Sequence, residues 1–437
     1  MSSDYTLTTI KAVSLMVSRG ITPSYTDIGG VGVVNQRCIK HGVVDFSAAR
    51  RTDTEKKKVS PDKILRKYDV VVNSTGVGTL GRVAQIWELP ESMTADSHVT
   101  IVRPAPESVY PLYFGYILKN LQQVIEAMGE GSTGQTELSR EKLGSIAIEL
   151  PDLNNQYAVA HLLRNIDDRI TLLRETNKTL EAIAQAIFKS WFVDFDPVKA
   201  KMDGRQPTGM DEETAALFPD ELVESELGLI PKGWEVKPVG DVVTTVGGGT
   251  PDTKNTDYWM PAMHSWTSPK DLAGISSPVL VSTARSISDK GLARISSGLL
   301  PKGTLLLSSR APIGYLAIAD LPVAINQGYI AMTPASGSLS PVYMLHWCKA
   351  NMEVIKGQAN GSTFMEISKT TFRRLPIILP PKRIADSFSA LAQQLFTRIT
   401  LNVRQADHLA DLRDTLLPRL ISGKLRVPID EAETSEV

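Results

Sequence analysis

The amino-acid sequence predicts an α+β protein made of two similar globular domains and two long antiparallel helices that pair as a coiled coil. The two halves form a pseudo-two-fold internal repeat. Three observations lead to this prediction. The chain has 437 residues, enough for two or three globular units. Its two halves share segments in the same order, and after each half the hydrophobic period changes from about two to about three and a half.

The repeated segments define the domain plan. GITPSYT at 20–26 matches GGTPDTK at 248–254, and KYDVVVNSTGVGTLGRVAQI at 67–86 parallels PKGTLLLSSRAPIGYLAIA at 301–319, each as strand, polar turn, glycine and strand. Gly131-Ser132-Thr133 corresponds to Gly361-Ser362-Thr363, and each triplet precedes an apolar strand that ends in proline, SIAIELP at 145–151 and LPIILP at 375–380. We expect domains at 1–152 and 233–381, helices at 153–200 and 382–426, an acidic surface linker at 201–232 and a tail at 427–437.

The two helices carry heptad repeats about 37 to 40 residues long, or roughly 55 to 60 Å. The first seam consists of Val159, Leu163, Ile166, Ile170, Leu173, Asn177, Leu180, Ala184, Ile187 and Trp191. The second consists of Phe388, Ala392, Leu395, Ile399, Asn402, Ala406, Leu409, Arg413, Leu416 and Leu420. An asparagine on an apolar seam fixes register at a cost in stability. A slightly different register would instead turn Asn177 and Asn402 toward solvent, and this alternative stays open.

Composition indicates an ordinary globular protein. Apolar residues make up 42% and charged residues 22% of the chain, and no apolar run approaches the roughly 18 residues that a membrane span needs. The first residues do not have the pattern of a secretory signal, so we expect a cytoplasmic protein. Segment 231–380 carries 14 basic and 9 acidic side chains, a net charge of +5, whereas 151–230 has a net charge of −7. A basic second domain fits a nucleic-acid face, although ordinary fluctuation in charge explains it equally well.

The sequence lacks the motifs of common catalytic sites. Cys38 and Cys348 are isolated and expected to be buried, and the six histidines have no zinc-ligand spacing, so we predict no metal. There is no P-loop, no GxSxG elbow and no methyltransferase [DNS]-P-P-[FYW] motif. GVGTLG at 76–81 resembles a dinucleotide loop, but a strand rather than a helix is expected to follow it. We therefore expect a protein without catalytic activity of its own.

Motifs along nearly the whole chain carry a family resemblance. They are FKSWFVDFDPVKAKMDG at 188–204, LFPDELVESELGLIPKGWEV at 217–236, GGGTPDTKNTDYW at 247–259, HSWTSPKDL at 264–272, GTLLLSSRAPIGYLAI at 303–318, AINQG at 324–328 and LRDTLLPRLISGKLRV at 412–427. In this order they resemble the specificity subunits of Type I restriction-modification systems. The first domain departs more from the family, since its counterparts of SSR and NQG are Ser74-Thr75-Gly76 and Asp96-Ser97-His98.

The resemblance implies a role and partners. Two target recognition domains would each recognise one half of a bipartite, asymmetric DNA site, with the helices as a ruler between the half-sites. Two modification (methyltransferase) subunits would dock on the helices, and restriction subunits would supply translocation and cleavage, so that the chain directs adenine methylation and restriction. The resemblance implies no cofactor on this chain, with S-adenosylmethionine, ATP and Mg on the partner subunits.

Candidate DNA contacts are side chains with paired donors and acceptors for bases, or with charge or hydroxyls for phosphates. In the second domain they are Lys254, Trp266, Thr267, Lys270, Ser309 and Arg310. In the first domain they are Asn35, Gln36, Arg37 and Thr75, which is expected to match Ser309, together with the basic cluster Arg50, Arg51, Lys56, Lys57 and Lys58. Some of these residues have a plainer alternative: core packing for Trp266, and a solvated surface for Lys254, Lys270 and the basic cluster.

Two other function classes remain at this point. A coiled-coil scaffold with duplicated protein- or ligand-binding domains would show the same repeat and helices, but no salt-dependent DNA affinity. An enzyme acting alone would transfer methyl groups from S-adenosylmethionine to DNA without a partner subunit.

Overall fold

The computed structural model describes residues 5–130, 136–335, 337, 339–361 and 365–428. The chain forms two compact units: unit 1 comprises Met1–Asp168 and Leu409–Val437, and unit 2 comprises Arg169–His408. The predicted triplet Gly131-Ser132-Thr133, two residues of its counterpart (Ser362 and Thr363) and most of the predicted tail lie outside the described residues.

Unit 1 combines short strands with a helical layer. Its strands are β1 (Thr6–Thr9), β2 (Ser14–Arg19), β3 (Tyr25–Thr26), β4 (Val31–Val34), β5 (Ile39–Lys40), β6 (Val43–Val44), β7 (Arg50–Thr52), β8 (Val70–Asn73), β9 (Val83–Gln85), β10 (Met93–Ala95), β11 (Val99–Pro104) and β12 (Ala147–Leu150). Its helices are α1 (Pro111–Asn120), α2 (Gln122–Ala127), α3 (Arg140–Ser145) and the first part of α4 (Leu153–Phe192), with short 3-10 turns at Gln36–Cys38, Phe46–Ala48 and Pro61–Lys63.

Two main sheets position the loops of unit 1. Strands β2-β11-β8-β9 form an antiparallel sheet in that order, and β10-β4-β7-β3 form a second sheet in which β10 and β4 run parallel. Helix α1 packs its apolar side against the first sheet, with Tyr113, Phe114 and Leu118 fully buried. Strand β1 pairs with β12 immediately before α4, and β5 pairs with β6.

Unit 2 contains the corresponding elements. Its strands are β13 (Leu222–Ser225), β14 (Gly228–Pro231), β15 (Glu235–Pro238), β16 (Thr244–Gly247), β17 (His264–Thr267), β18 (Val279–Leu280), β19 (Arg285–Ile287), β20 (Leu305–Ser308), β21 (Leu316–Ala319), β22 (Ala324–Ile325), β23 (Tyr329–Thr333) and β24 (Pro376–Leu379). Its helices are α5 (Asp196–Met202), α6 (Glu212–Ala216), α7 (Val239–Val242), α8 (Pro269–Leu272), α9 (Asp289–Leu292), α10 (Pro341–Ala350), α11 (Met352–Gly357), α12 (Lys369–Arg373) and most of α13 (Lys382–Ile421), with a 3-10 turn at Thr256–Tyr258.

The strand order of unit 2 confirms the predicted internal repeat. Strands β16-β23-β20-β21 are neighbours in the same order as β2-β11-β8-β9, with β18 added at the edge. In the other sheet β22-β17-β19 repeats β10-β4-β7, including one parallel pair, β17 with β22. In each unit a glycine lies against the backbone at the end of the strand that takes part in this parallel pair. A Cβ on Gly20 or on Gly248 would lie 2.0 or 1.9 Å from the carbonyl oxygen of Ala95 or Ile325, respectively, so neither position has room for a side chain.

The helices α4 and α13 are each 40 residues long and pair within each unit. In unit 2, Asn402 Nδ2 donates to Asn177 Oδ1 at 2.8 Å, and the rings of Phe188 and Phe388 meet edge to face at 5.4 Å. Since residue numbers rise along α4 as they fall along α13, the two segments are antiparallel. In unit 1, Arg413 Nη1 donates to Asp167 Oδ1 at 2.6 Å.

The predicted seam residues are mostly buried. On α4 the buried ones are Val159, Leu163, Ile166, Ile170, Leu173, Asn177, Ala184 and Trp191, with Leu180 and Ile187 half-buried. On α13 they are Phe388, Ala392, Ile399, Asn402, Ala406 and Leu420, with Leu395, Leu409, Arg413 and Leu416 half-buried. Neither asparagine faces solvent, since Asn177 and Asn402 are 1% and 2% exposed.

The segment expected to be a plain surface linker also contributes to the core of unit 2. Helix α4 ends at Phe192, and between 201 and 232 lie α6 and the hairpin β13–β14. Phe218 is 2% exposed and meets Trp191 edge to face at 5.3 Å, and Ile230 is buried in the same cluster. The acidic composition of this stretch favours a surface position, but its apolar residues are buried and their burial stabilises the fold.

None of the helices in the described part of the chain combines the length and apolar character that a membrane crossing requires.

Candidate nucleic-acid interface

Polar groups of unit 2 gather where β17, β20 and the β22–β23 connection end. We call this set the unit 2 turn cluster; it consists of Thr250, Ser268–Lys270, Ser309–Arg310, Asn326–Gly328 and Glu366. Its backbone is fixed by hydrogen bonds: Ser309 N donates to Gly328 O at 2.8 Å, and Ile367 N donates to Ser309 O at 3.0 Å. Thr250 Oγ1 donates to Gln327 Oε1 at 2.5 Å, which ties the loop after β16 to the same place.

Unit 1 has the same backbone arrangement at the unit 1 turn cluster, Thr22, Asn35–Arg37, Ser74–Thr75, Asp96–His98 and Glu137. Ser74 N donates to His98 O at 2.9 Å, and Leu138 N donates to Ser74 O at 2.8 Å. His98 N donates to Asp96 Oδ1, as Gly328 N donates to Asn326 Oδ1, both at 2.8 Å. Burial raises the pKa of Asp96, and the hydrogen bond from His98 N opposes this increase.

The match predicted between the two turns is wrong by one residue. The hydrogen bonds pair Ser74 with Ser309, so Thr75 matches Arg310 and not Ser309. The bridges Thr75–Glu137 and Arg310–Glu366 agree with this correction. A strand pairing fixes register in a way that sequence similarity between two short polar turns does not. The two clusters thus hold different side chains on equivalent backbone.

A capped helical turn enters each cluster. Asn35 Oδ1 accepts from Arg37 N at 2.9 Å in unit 1, and Ser268 forms a capping box with Asp271 in unit 2. These caps place Arg37 and Lys270 at equivalent, exposed positions. The side chain of Asn35 is thereby occupied in holding the turn.

The predicted contact residues differ in their accessibility. Arg310 is partly exposed, and its Nη1 lies 3.5 Å from Glu366 Oε2. Lys254 and Lys270 are exposed. Gln36 of unit 1, in contrast, donates through Nε2 to both Thr75 O and Thr75 Oγ1 at 2.6 Å, so that its amide orders the turn.

Three predicted contact residues are buried, which corrects their expected role. Trp266 is 5% exposed and its Nε1 donates to Gly249 O at 3.1 Å. Thr267 is fully buried with its hydroxyl 3.2 Å from Tyr329 Oη, and Ser309 is 2% exposed. Their side chains pack inside unit 2 and are not available to DNA, although their chemistry alone made them candidates for DNA contact.

Some cations of the basic cluster at 50–58 bond to acceptors of the protein, and others are exposed. Arg51 donates to both carboxylate oxygens of Glu91, at 2.5 and 2.9 Å, and to the carbonyls of Gly29 and Gly30. Lys56 pairs with Asp53 at 3.5 Å, and Lys57 donates to Thr22 O at 2.7 Å. Lys58 is exposed. Arg50 is exposed and its guanidinium carbon lies 3.5 Å from the ring centroid of Tyr25.

Arg285 is a candidate that the sequence analysis missed. It lies on β19 beside Trp266 of β17, is exposed, and places its guanidinium carbon 3.4 Å from the centroid of the Trp259 ring. Its sequence context, STARSI, has no motif that marks it. Only the strand pairing shows that it lies next to the turn cluster.

The described residues contain no cluster of three His, Cys, Asp or Glu side chains that could hold a metal ion. Cys38 and Cys348 are buried free thiols, and burial raises the pKa of both.

A family comparison matches both halves of the chain. The family model described as Type I restriction modification DNA specificity domain matches residues 30–182 and 231–404. These two matched segments cover most of the described part of units 1 and 2.

Individual relatives agree with the family match. The chain is 25% identical over 414 residues to the Type I restriction enzyme HindI specificity subunit of Haemophilus influenzae, covering 83% of this chain and 88% of the relative. It is 40% identical over 161 residues to the MjaIX specificity subunit of Methanocaldococcus jannaschii, covering 37% of each chain. The crystal structure of a Type I restriction-modification S subunit from M. genitalium has the same fold, with a TM-score of 0.56, 16% identity, and coverage of 98% of this chain and 97% of that one.

Proposed function

This chain belongs to the Type I restriction modification DNA specificity family, and from that premise we propose that it recognises a bipartite, asymmetric DNA sequence with one domain per half-site. Membership makes it a specificity subunit, the DNA-recognising and non-catalytic component of its complex. The relatives it matches along most of its length are specificity subunits as well.

The observation that carries the proposal is the pair of turn clusters. Equivalent backbone positions present Thr75 in one unit and Arg310 in the other, held by the same hydrogen bonds. His98 likewise corresponds to Gly328. Base recognition depends on which donors and acceptors face the groove. The same backbone arrangement with different side chains in the two units therefore suits a protein that recognises two different half-sites.

Each unit carries exposed cations that suit the phosphate backbone. Arg37 in unit 1 and its equivalent Lys270 in unit 2 are exposed, as are Lys254 and Lys58. Each phosphate that such a cation neutralises adds affinity that decreases with salt. We assign these four side chains to phosphate contact and Arg310 to base contact, since its guanidinium has the geometry for paired hydrogen bonds.

We further propose that two modification subunits dock on α4 and α13 and that restriction subunits complete the complex. Leu172 of α4 and Leu401 of α13 are 55% and 54% exposed, so a subunit docked on these helices would remove two apolar side chains from water. S-adenosylmethionine, ATP and Mg would then belong to the partner subunits, and the family assignment implies no cofactor on this chain.

Selection from a random DNA library tests the proposal. The full chain in complex with its modification subunit is incubated with random duplexes at about 0.15 M salt, and bound DNA is sequenced over several rounds. We expect two short defined segments separated by an undefined spacer. A single contiguous motif would contradict recognition by two domains, and enrichment of no sequence, with no salt-dependent affinity, would favour a scaffold that does not bind DNA.

A further inference from the structure

Two exposed arginines occupy equivalent positions in the two units. Arg50 lies on β7 opposite Val33 of β4, and Arg285 lies on β19 opposite Trp266 of β17. Strands β4 and β17 each form the parallel pair of their sheet and lead into the capped turn of the cluster. The internal repeat therefore places one arginine beside each turn cluster, although the surrounding sequences share no motif.

Each of these guanidinium groups stacks on an aromatic ring. The carbon of the Arg50 guanidinium is 3.5 Å from the Tyr25 centroid, and that of Arg285 is 3.4 Å from the Trp259 centroid. The Trp259 ring is itself fixed: its Nε1 donates to Asp252 O at 3.0 Å, and it meets Trp266 edge to face at 5.3 Å. A guanidinium held over a ring loses little further conformational freedom when it binds a ligand.

The donors of both guanidinium groups are available. Within the described residues, neither Arg50 nor Arg285 makes a side-chain hydrogen bond or ion pair with the protein. Their neighbour Arg51 and the stacked Arg164, 3.1 Å from the Trp87 ring, are different, because each bonds a carboxylate. An arginine that is positioned by an aromatic ring but not neutralised is suited to a ligand with two adjacent acceptors.

Short connections join these arginines to the turn clusters. In unit 2, Trp266 Nε1 donates to Gly249 O at 3.1 Å, and the next residue, Thr250, donates to Gln327 in the cluster. In unit 1, the cluster residue Asn35 donates through Nδ2 to Ala48 O at 3.3 Å, two residues before Arg50. A DNA duplex that contacts either cluster would thus lie beside a stacked arginine.

We propose that Arg50 and Arg285 are equivalent base-recognising residues, each donating two hydrogen bonds to O6 and N7 of a guanine in its own half-site. This inference rests on the proposed function. The fork of the guanidinium matches the two guanine acceptors in the major groove. The adjacent ring fixes the plane of the fork, which a phosphate contact does not require. Tyr25 and Trp259 are positioning residues.

The experiment compares methylated motifs in cells that carry the modification subunit and the full-length chain as wild type, Arg50→Gln or Arg285→Gln. We expect each variant to relax one guanine position in one half of the motif, with preference for that base reduced roughly 5- to 150-fold. The two variants should affect opposite halves. Lys290→Gln removes one exposed charge from the same unit as Arg285, and it should leave the motif unchanged.

Lysine variants separate base contact from phosphate contact. Arg285→Lys and Arg50→Lys keep the charge and lose the fork, so they should relax the same positions as the glutamine variants while the salt dependence of binding persists. Trp259→Leu and Tyr25→Leu should relax these positions in part, and Trp259→Phe and Tyr25→Phe, which retain a ring, should restore discrimination.

The outcomes are distinct. If the wild type produces a split motif and the arginine variants leave it unchanged, the inference fails and the proposed function stands. Uniform loss of methylation at every site, restored by lysine, would assign the arginines to phosphate and would also overturn the inference. Absence of any split motif with the wild type would refute the proposed function, and the inference with it.

Discussion

The buried hydrogen bond between Asn177 and Asn402 allows the stability of the paired helices to be predicted quantitatively. Asn402 Nδ2 donates to Asn177 Oδ1 at 2.8 Å, and Asn177 Nδ2 donates to Ile399 O at 3.3 Å. Both side chains are almost completely buried. Replacement of Asn402 by alanine removes the donor and leaves Asn177 Oδ1 buried without its partner. A buried polar group without a partner costs about 1 to 3 kcal/mol, so the free energy of unfolding of unit 2 should fall by that amount.

Urea unfolding of the variants, followed by circular dichroism, measures this loss. The double variant Asn177→Ala/Asn402→Ala removes both polar groups, so its cost should be smaller than the sum of the two single costs by about 1 kcal/mol. Asn165→Ala, which removes an exposed asparagine from α4, should change stability by less than about 0.5 kcal/mol. Additive single costs, or an unchanged midpoint for Asn402→Ala, would refute the coupling of the two amides.

Three further predictions concern unit 2. Burial, with a smaller contribution from a nearby lysine, lowers the pKa of His346 to about 4, below the value of about 6.5 in an unfolded chain. The stabilisation is therefore fully present above about pH 6.5, and the free energy of unfolding falls by up to about 3 kcal/mol as the pH decreases toward 4. Unfolding measurements on His346→Gln should show a weaker dependence of stability on pH in this range. Gly248→Ala would place its Cβ 1.9 Å from a carbonyl oxygen and should lower the melting temperature by several degrees, whereas Gly357→Ala, with open space around its Cβ, should not lower it. Arg310→Ala should weaken binding to the selected DNA by about 1 to 3 kcal/mol. Loss of the ion pair between Arg310 and the exposed Glu366 should change the free energy of unfolding by less than about 1 kcal/mol. If the variant binds the selected site as tightly as the wild type, Arg310 is not part of the interface.

The duplicated arrangement of domains and helices could be predicted because the order of the repeated segments and the hydrophobic periodicity are both visible in the sequence. The apolar strands that end at Pro151 and Pro380 and the heptads that follow them are periodic, and periodicity reports which face of an element is buried. The match of GITPSYT with GGTPDTK is confirmed at its first position, since Gly20 and Gly248 each lie too close to a carbonyl oxygen for any side chain.

The candidate site could be predicted only in part, because its geometry depends on strand register and tertiary packing. Two polar turns of similar composition allow a shift of one residue. The bridges Thr75–Glu137 and Arg310–Glu366, which make Thr75 equivalent to Arg310, are not visible in the sequence. Trp266 is a candidate contact by its chemistry, yet its side chain is buried and meets the Trp259 ring edge to face. Arg285 was missed since the segments that join it to the turn cluster differ in sequence from those of unit 1.

Genome-wide adenine methylation tests the central claim most directly. Single-molecule sequencing would compare cells that carry this chain and its modification subunit with cells from which only this chain has been deleted. We expect that one split, asymmetric methylated motif disappears when the chain is deleted and returns when the chain is restored. A split motif that persists after the deletion would contradict the claim that this chain is the component that recognises the DNA sequence.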